Sequence, residues 1–139
     1  MVALGQHCLL IPNPRDLDAT IKAMRPWTTS VFCGLNTLFV ALCAREDFRA
    51  LNFSSLLVTV SGGMALTSDA ANRWEEVTGC KVFEGYGLTE ASPVVSLNTG
   101  YKGDTGRKLG YIGVIAPSTE IKIVNNDGES LASNEEGEL

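Results

Sequence analysis

Glu84-Gly85-Tyr86-Gly87-Leu88-Thr89-Glu90 follows the short apolar run Val82-Phe83 and sets the frame for the rest of the chain. Two glycines flank a tyrosine. Without a Cβ, Gly85 and Gly87 allow backbone to lie close to a flat or bulky ligand and permit φ > 0. Tyr86 offers a ring face with a polar tip. Thr89 offers a hydroxyl to a phosphate oxygen. Glu90 offers a hard oxygen of the kind Mg²⁺ takes when it also holds phosphates. A nucleotide with its metal uses all of these groups. The same glycines also read as a strand-to-loop turn in an α/β domain, and on their own they do not separate the two readings.

Moving upstream, Leu56-Leu57-Val58-Thr59-Val60 is the clearest buried strand. Ser61-Gly62-Gly63 ends it, and a helix is expected from about Ser68 to Thr78. Ser68 or Thr67 caps that helix, Asp69 sits in its first turn and Gly79 closes it. Ala70, Ala71, Trp74 and Val77 form its buried face. Strand, glycine turn and helix invite a dinucleotide-binding reading, but neither glycine pair matches G-x-G-x-x-G, and no Walker A sequence is present.

Earlier still, Leu35, Leu38, Phe39 and Leu42 make a helical stripe, a core face first of all, with Asn36 as a candidate N-cap. Ser30-Val31-Phe32-Cys33 reads as a short strand broken by Gly34. Leu17, Ile21 and Met24 recur at helical spacing, Asp16 is placed to cap them and Pro26 stops them. Cys8-Leu9-Leu10-Ile11 reads as a buried strand ended by Pro12-Asn13-Pro14.

Downstream, Val94-Val95-Ser96-Leu97 is a strand candidate, and residues 98–108 read as an exposed mobile loop rich in Gly, Lys, Asp and Thr. Thr119 to Val124 alternates polar and apolar, the pattern of a half-buried strand. Asn125-Asn126-Asp127-Gly128 is a hairpin turn signal, with Glu129 to Ala132 returning. The pattern shifts near Gly106 from alternating strands and helices to hairpins. The expected fold is α/β: a parallel-sheet part over 1–105 and the start of a small antiparallel β part over 106–139.

Composition limits the alternatives. The 139 residues fit one domain, 45% are hydrophobic and the net charge is −5. No Lys/Arg cluster offers a nucleic-acid footprint, and no apolar run reaches the length of a membrane span. The four cysteines, Cys8, Cys33, Cys43 and Cys80, are not spaced as C-x-x-C, so buried free thiols are expected over disulfides or zinc. His7 is the sole histidine, which excludes a Ser/His/Asp or Cys/His arrangement within the chain.

Glu84 to Glu90, with Ser61-Gly62-Gly63-Met64 and Gly34-Leu35-Asn36-Thr37-Leu38-Phe39, resembles the acyl-adenylate-forming enzymes, and among them the bacterial long-chain fatty-acid–CoA ligases. The resemblance runs over essentially the whole chain. It implies the parallel-sheet subdomain of an adenylate-forming enzyme. It further implies two half-reactions, acyl-adenylate formation from ATP and then transfer to coenzyme A. Gly62, Gly63 and Met64 then wall one side of an adenine slot, with Tyr86 on the other. Glu84, Gly85, Tyr86, Gly87, Leu88 and Thr89 form the adenylate loop, Thr89 reaches the α-phosphate and Glu90 holds Mg²⁺. Thr89 and Glu90 are the catalytic pair on this reading. Asn36, Gly87, Leu88 and Ala91 border the acyl pocket. A cytoplasmic location follows, with peripheral association at the inner face of the membrane.

Two positions depart from the family pattern: Ser61 stands where a third glycine is frequent, and Ala65 where a proline is common. The family's Gly/Ser/Thr-rich phosphate loop, ribose-binding aspartate, hinge and C-terminal lysine have no counterpart, and the chain stops at Gly137-Glu138-Leu139 inside a family motif. The expectation is therefore a fragment of a longer enzyme, inactive alone and prone to self-association through surfaces left open. Two alternatives stand beside it: an adenylating relative acting on another carboxylic acid, and a nucleotide-binding or interaction module without acid-dependent chemistry.

Overall fold

The computed structural model describes residues 5–98 and 107–139. The elements in chain order are α1 (Leu17–Met24), β1 (Val31–Gly34), α2 (Asn36–Cys43), α3 (Glu46–Arg49), β2 (Val58–Ser61) and α4 (Ser68–Thr78). They continue with β3 (Val82–Gly87), a one-turn 3₁₀ helix (Thr89–Ala91), β4 (Val94–Leu97) and β5 (Val114–Ile115). The sheet order is β1-β2-β3-β4-β5. β1, β2 and β3 are parallel, in a register that sets Val31 beside Val58, Thr59 beside Val82 and Ser61 beside Glu84. β4 and β5 continue the sheet antiparallel.

Local chemistry explains the helices. The Asp16 carboxylate accepts the Ala19 N–H at 2.9 Å and so caps α1. Thr67 caps α4 by accepting the Ala70 N–H, and Gly79 ends it at φ 71, the left-handed conformation that a side chain disfavours. Because β1 to β2 and β2 to β3 are parallel, each connection must cross over, and these crossovers carry α2, α3 and α4. α2 and α4 meet on one face of the sheet, where Trp74 is fully buried. Its ring lies 4.8 Å from those of Phe32 and Phe39 and 5.5 Å from that of Phe48. Its indole N–H donates to the Thr59 hydroxyl at 2.9 Å, and that hydroxyl donates to the Cys80 sulfur at 3.5 Å. The largest aromatic ring of the core therefore brings no unpaired polar atom with it.

Several sequence expectations are corrected. Cys8 to Ile11 is not a strand: Leu10 is 82% exposed and no ladder partner exists among the described residues. A short apolar run carries no signal of its own for pairing, and Pro12 and Pro14 offer no N–H to extend it. β2 starts at Val58, and Leu57 points to solvent. Thr119 to Val124 forms a single bridge position instead of a strand, with Val124 opposite Ser130 and Glu138. The turn itself is present: Asn125 accepts from Gly128 N–H at 3.0 Å and donates to the Glu129 carbonyl at 3.0 Å. The change from parallel to antiparallel pairing occurs at β3–β4, well before Gly106. The connection over 88–93 is too short for the crossover that parallel pairing requires.

Cys43 and Cys80 are buried, but Cys8 and Cys33 are exposed, Cys33 because it faces away from the helices in β1. The loop expectation falls largely on residues 99–106, outside the described residues. Asn98, at its start, is buried rather than exposed.

Candidate functional site

Ligands of open α/β sheets sit beyond the carboxyl ends of the strands. Here the ends of β2 and β3 lead into two glycine turns that abut each other. A Cβ on Gly62 would lie 3.8 Å from the Gly85 carbonyl oxygen, so the two backbones approach with nothing between them. Gly63 follows at φ 82. Gly62 is half-buried, while Gly63 and Met64 are exposed.

The second turn is more constrained. The pairing of β3 with β4 slips between Tyr86 and Gly87, a bulge of the kind that re-aims side chains beside active sites. A Cβ on Gly87 would stand 1.9 Å from the Pro93 carbonyl oxygen, so only glycine fits. The Leu88 N–H donates to that same oxygen at 2.9 Å and closes the loop. Within the loop, Thr89 to Ala91 make one 3₁₀ turn, ended by Ser92 at φ 63.

The side chains sort into two groups. Tyr86, Leu88, Thr89, Glu90 and Ala91 are exposed at the rim, and the Tyr86, Thr89 and Glu90 side chains make no hydrogen bond among the described residues. Glu84 and Asn36 are engaged inward. Glu84 is 6% exposed and its Oε1 accepts the Leu66 N–H at 2.9 Å. Asn36 does not cap α2; Leu35 holds the N-cap position without a side-chain bond. The Asn36 Oδ1 instead accepts both the Thr67 N–H and the Thr67 hydroxyl at 3.2 Å. Reaching the N-cap of α4 satisfies Asn36 better than its own helix end does, because Thr67 offers two donors.

Sequence reasoning missed the residues that tie the segment after β4 to the rest of the fold. The buried Asn98 donates from Nδ2 to the carbonyls of Lys108 at 2.6 Å and Tyr111 at 2.9 Å, and its N–H donates to the Glu84 carbonyl at 2.8 Å. Gly113, at φ 87, lies so close to β4 that a Cβ would come 2.2 Å from the Leu97 oxygen. Arg107 pairs with Glu75 of α4 at 3.3 Å. An asparagine after a strand gives no local hint of partners ten and thirteen residues away.

No group of three or more His, Cys, Asp or Glu gathers among the described residues. Glu90 alone fits a magnesium site of the phosphate-bridged type, since Mg²⁺ there takes one or two carboxylates and its remaining ligands from phosphates and water. Its carboxylate is exposed and unpaired among the described residues, as such a role requires. Burial pushes the Cys43 thiol up, despite nearby Arg49, which favours its neutral form. A groove of about 630 Å³ between α2, α3 and α4 lies apart from these residues, and its arginines are engaged: Arg49 with the Cys43 carbonyl at 2.6 Å, Arg73 with Asp69 at 2.9 Å.

The family model for the AMP-binding enzymes matches residues 1–139. The chain is 41% identical to the long-chain-fatty-acid–CoA ligase of Haemophilus influenzae over 136 residues, covering 98% of this chain and 24% of that protein. It is 42% identical to the ligase of the same description from Salmonella typhimurium over 138 residues, with 99% and 24% covered. It thus spans about a quarter of the length of these relatives. A crystal structure of an anthranilate CoA ligase in complex with anthranoyl-AMP superposes with a TM-score of 0.81 at 26% identity, covering 94% of this chain and 25% of that one. A benzoate CoA ligase from Burkholderia xenovorans shares the fold, with a TM-score of 0.75 at 22% identity over 91% of this chain and 25% of that one. With its whole length matched by the family model and its two glycine turns brought together at the strand ends, the chain belongs to the AMP-binding enzyme family.

Proposed function

We propose that this chain is part of a long-chain fatty-acid–CoA ligase and builds the adenylate-binding side of its active site. In the first half-reaction a fatty-acid carboxylate oxygen attacks the α-phosphorus of ATP. A P–O bond forms to the acyl oxygen, the bond to the β-phosphate breaks and pyrophosphate leaves. In the second, the thiol of coenzyme A attacks the acyl carbon; a C–S bond forms, the thiol proton passes to solvent, and AMP departs with the electron pair of the broken acyl–oxygen bond.

The observation that carries this reading is the abutment of Gly62 and Gly85, with Tyr86, Thr89 and Glu90 free at the rim beside it. The flat adenine base lies between the Gly62–Met64 backbone and the Tyr86 ring. The Thr89 hydroxyl donates to an α-phosphate oxygen as charge builds there, the kind of positioned donor that lowers such barriers. Glu90 holds Mg²⁺, which when bound neutralises phosphate charge. Gly87, Leu88 and Ala91 border the acyl carboxylate. The identity of 41–42% with bacterial long-chain ligases supports the fatty-acid choice over an aryl acid.

The test is ATP–pyrophosphate exchange by the full-length protein with acids of increasing chain length, beside its Glu90→Ala variant. Exchange that is greatest with long-chain acids and collapses in the variant is the expected result. A maximum with an aryl acid redirects the assignment to the chemistry of the anthranilate ligase. Exchange that survives in the variant removes Glu90 from the metal site, and a flat response to every acid overturns the ligase reading.

A further inference from the structure

We infer that Glu84 is a positioning residue and not a ligand of the nucleotide: its buried carboxylate fixes the Gly62–Leu66 turn through the backbone N–H of Leu66. The inference rests on the adenylate reading above, and it separates Glu84 from the loop residues beside which it stands in sequence.

Three observations carry it. The first is orientation. Side chains alternate along a strand, and Glu84 shares the face of the fully buried Val82, turned toward the helices. The second is how the turn is held. The Gly62 N–H donates to the Gly34 carbonyl at 3.1 Å, the Leu66 N–H to Glu84 at 2.9 Å and the Thr67 N–H to Asn36 at 3.2 Å. The amides of Gly63, Met64 and Ala65 make no hydrogen bond among the described residues. The adenine wall is thus a short span fastened only at its ends, and Glu84 is one fastening.

The third concerns substitution. Leu66 is 6% exposed, so an amide freed from Glu84 finds a new partner only if the turn itself moves out toward water. The other carboxylate oxygen, Oε2, is buried without a partner, as is the hydroxyl of Ser61, its neighbour across the β2–β3 register. An amide at position 84 keeps the acceptor for Leu66 and removes the charge. Geometry at this turn, rather than charge, is what the carboxyl supplies.

The experiment compares the full-length protein with Glu84→Ala and Glu84→Gln. Amide hydrogen exchange at Leu66 is followed without nucleotide, and the KM values for ATP and fatty acid and kcat are followed in pyrophosphate exchange. In Glu84→Ala, Leu66 loses protection and the KM for ATP rises roughly tenfold, because a wall displaced by a fraction of an ångström no longer matches the base. The KM for the fatty acid does not follow. Glu84→Gln restores Leu66 protection and recovers most of the ATP affinity. A Gln variant as impaired toward ATP as the Ala variant shows that the charge itself meets the nucleotide or its metal, and overturns the inference. So does Leu66 protection that persists in Glu84→Ala. Where the Ala variant does not fold, the Gln variant decides by the same two readouts. Should the wild type exchange no pyrophosphate with any acid, the ligase reading falls, while Leu66 protection still decides whether Glu84 holds the turn.

Discussion

The helix-covered face around Trp74 and the rim around Gly62 and Gly85 belong to the same sheet and are held by different means. Under the helices, order comes from volume: four aromatic rings interlock, and the one buried indole N–H is answered by Thr59. At the rim, order comes from absence and from single bonds. Gly87 fits because it lacks a Cβ, and the Gly62–Leu66 turn is fastened only near its ends, by Gly34, Glu84 and Asn36. A packed core tolerates the loss of one contact better than a fastened span does. The rim pays for its openness to ligand with dependence on a few atoms.

Four substitutions break or sharpen that contrast. The largest effect is expected from Trp74→Ala, which removes the ring shared by Phe32, Phe39 and Phe48 and leaves a cavity costing about 3–5 kcal/mol. Denaturant unfolding followed by circular dichroism measures it. A shift of a few tenths of a kcal/mol would mean that the core is not organised by this ring. Gly87→Ala comes next: the added methyl meets the Pro93 carbonyl, the 88–93 loop moves, and about 3 kcal/mol of stability is lost. Its signature at the rim is a greater fall in pyrophosphate exchange, roughly a hundredfold from misplaced Thr89 and Glu90. Unchanged exchange would show that the loop accommodates a side chain.

Thr59→Val keeps the volume but leaves the indole N–H without an acceptor, for about 1–2 kcal/mol. Paired with Trp74→Phe in a double-mutant cycle, the two losses should be less than additive. The smallest effect belongs to a surface pair. Arg45 beside Asp47 holds that carboxyl below the usual carboxylate range. A depressed folded value stabilises the protein above the unfolded pKa of about 3.8 and ceases to do so as pH falls through the folded value. Asp47→Asn is therefore expected to unfold slightly more easily at neutral pH, with the gap to wild type closing in acid. A gap that widens in acid would reverse the sign and exclude this pair as its source.

The same contrast explains what could be read from the sequence. α1 and α4 were legible because their signals are local: Asp16 three residues before its donor, Thr67 three before Ala70, Gly79 at the end. β2 was legible from its β-branched run. Rim residues such as Tyr86, Thr89 and Glu90 could be named by chemical type. What fastens the rim could not, because each bond joins distant positions: Glu84 to Leu66 across 18 residues and Asn36 to Thr67 across 31. Cys8 to Ile11 misled for a related reason, since apolar character does not specify a pairing partner. Alternation over Thr119 to Val124 likewise implied a covered face, yet Ile121 stands 38% exposed.

The distribution of the four thiols gives the molecule a built-in clock. Cys8 and Cys33 are open to reagent in the folded chain, whereas Cys43 and Cys80 are closed off. A maleimide added to the native protein should modify the first two at once. It reaches the second two only as often as the structure above the sheet lets go. Cys80 stands in the hydrogen-bonded chain that runs from Trp74 through Thr59, so the slow labelling rate at that sulfur counts openings of the aromatic centre directly.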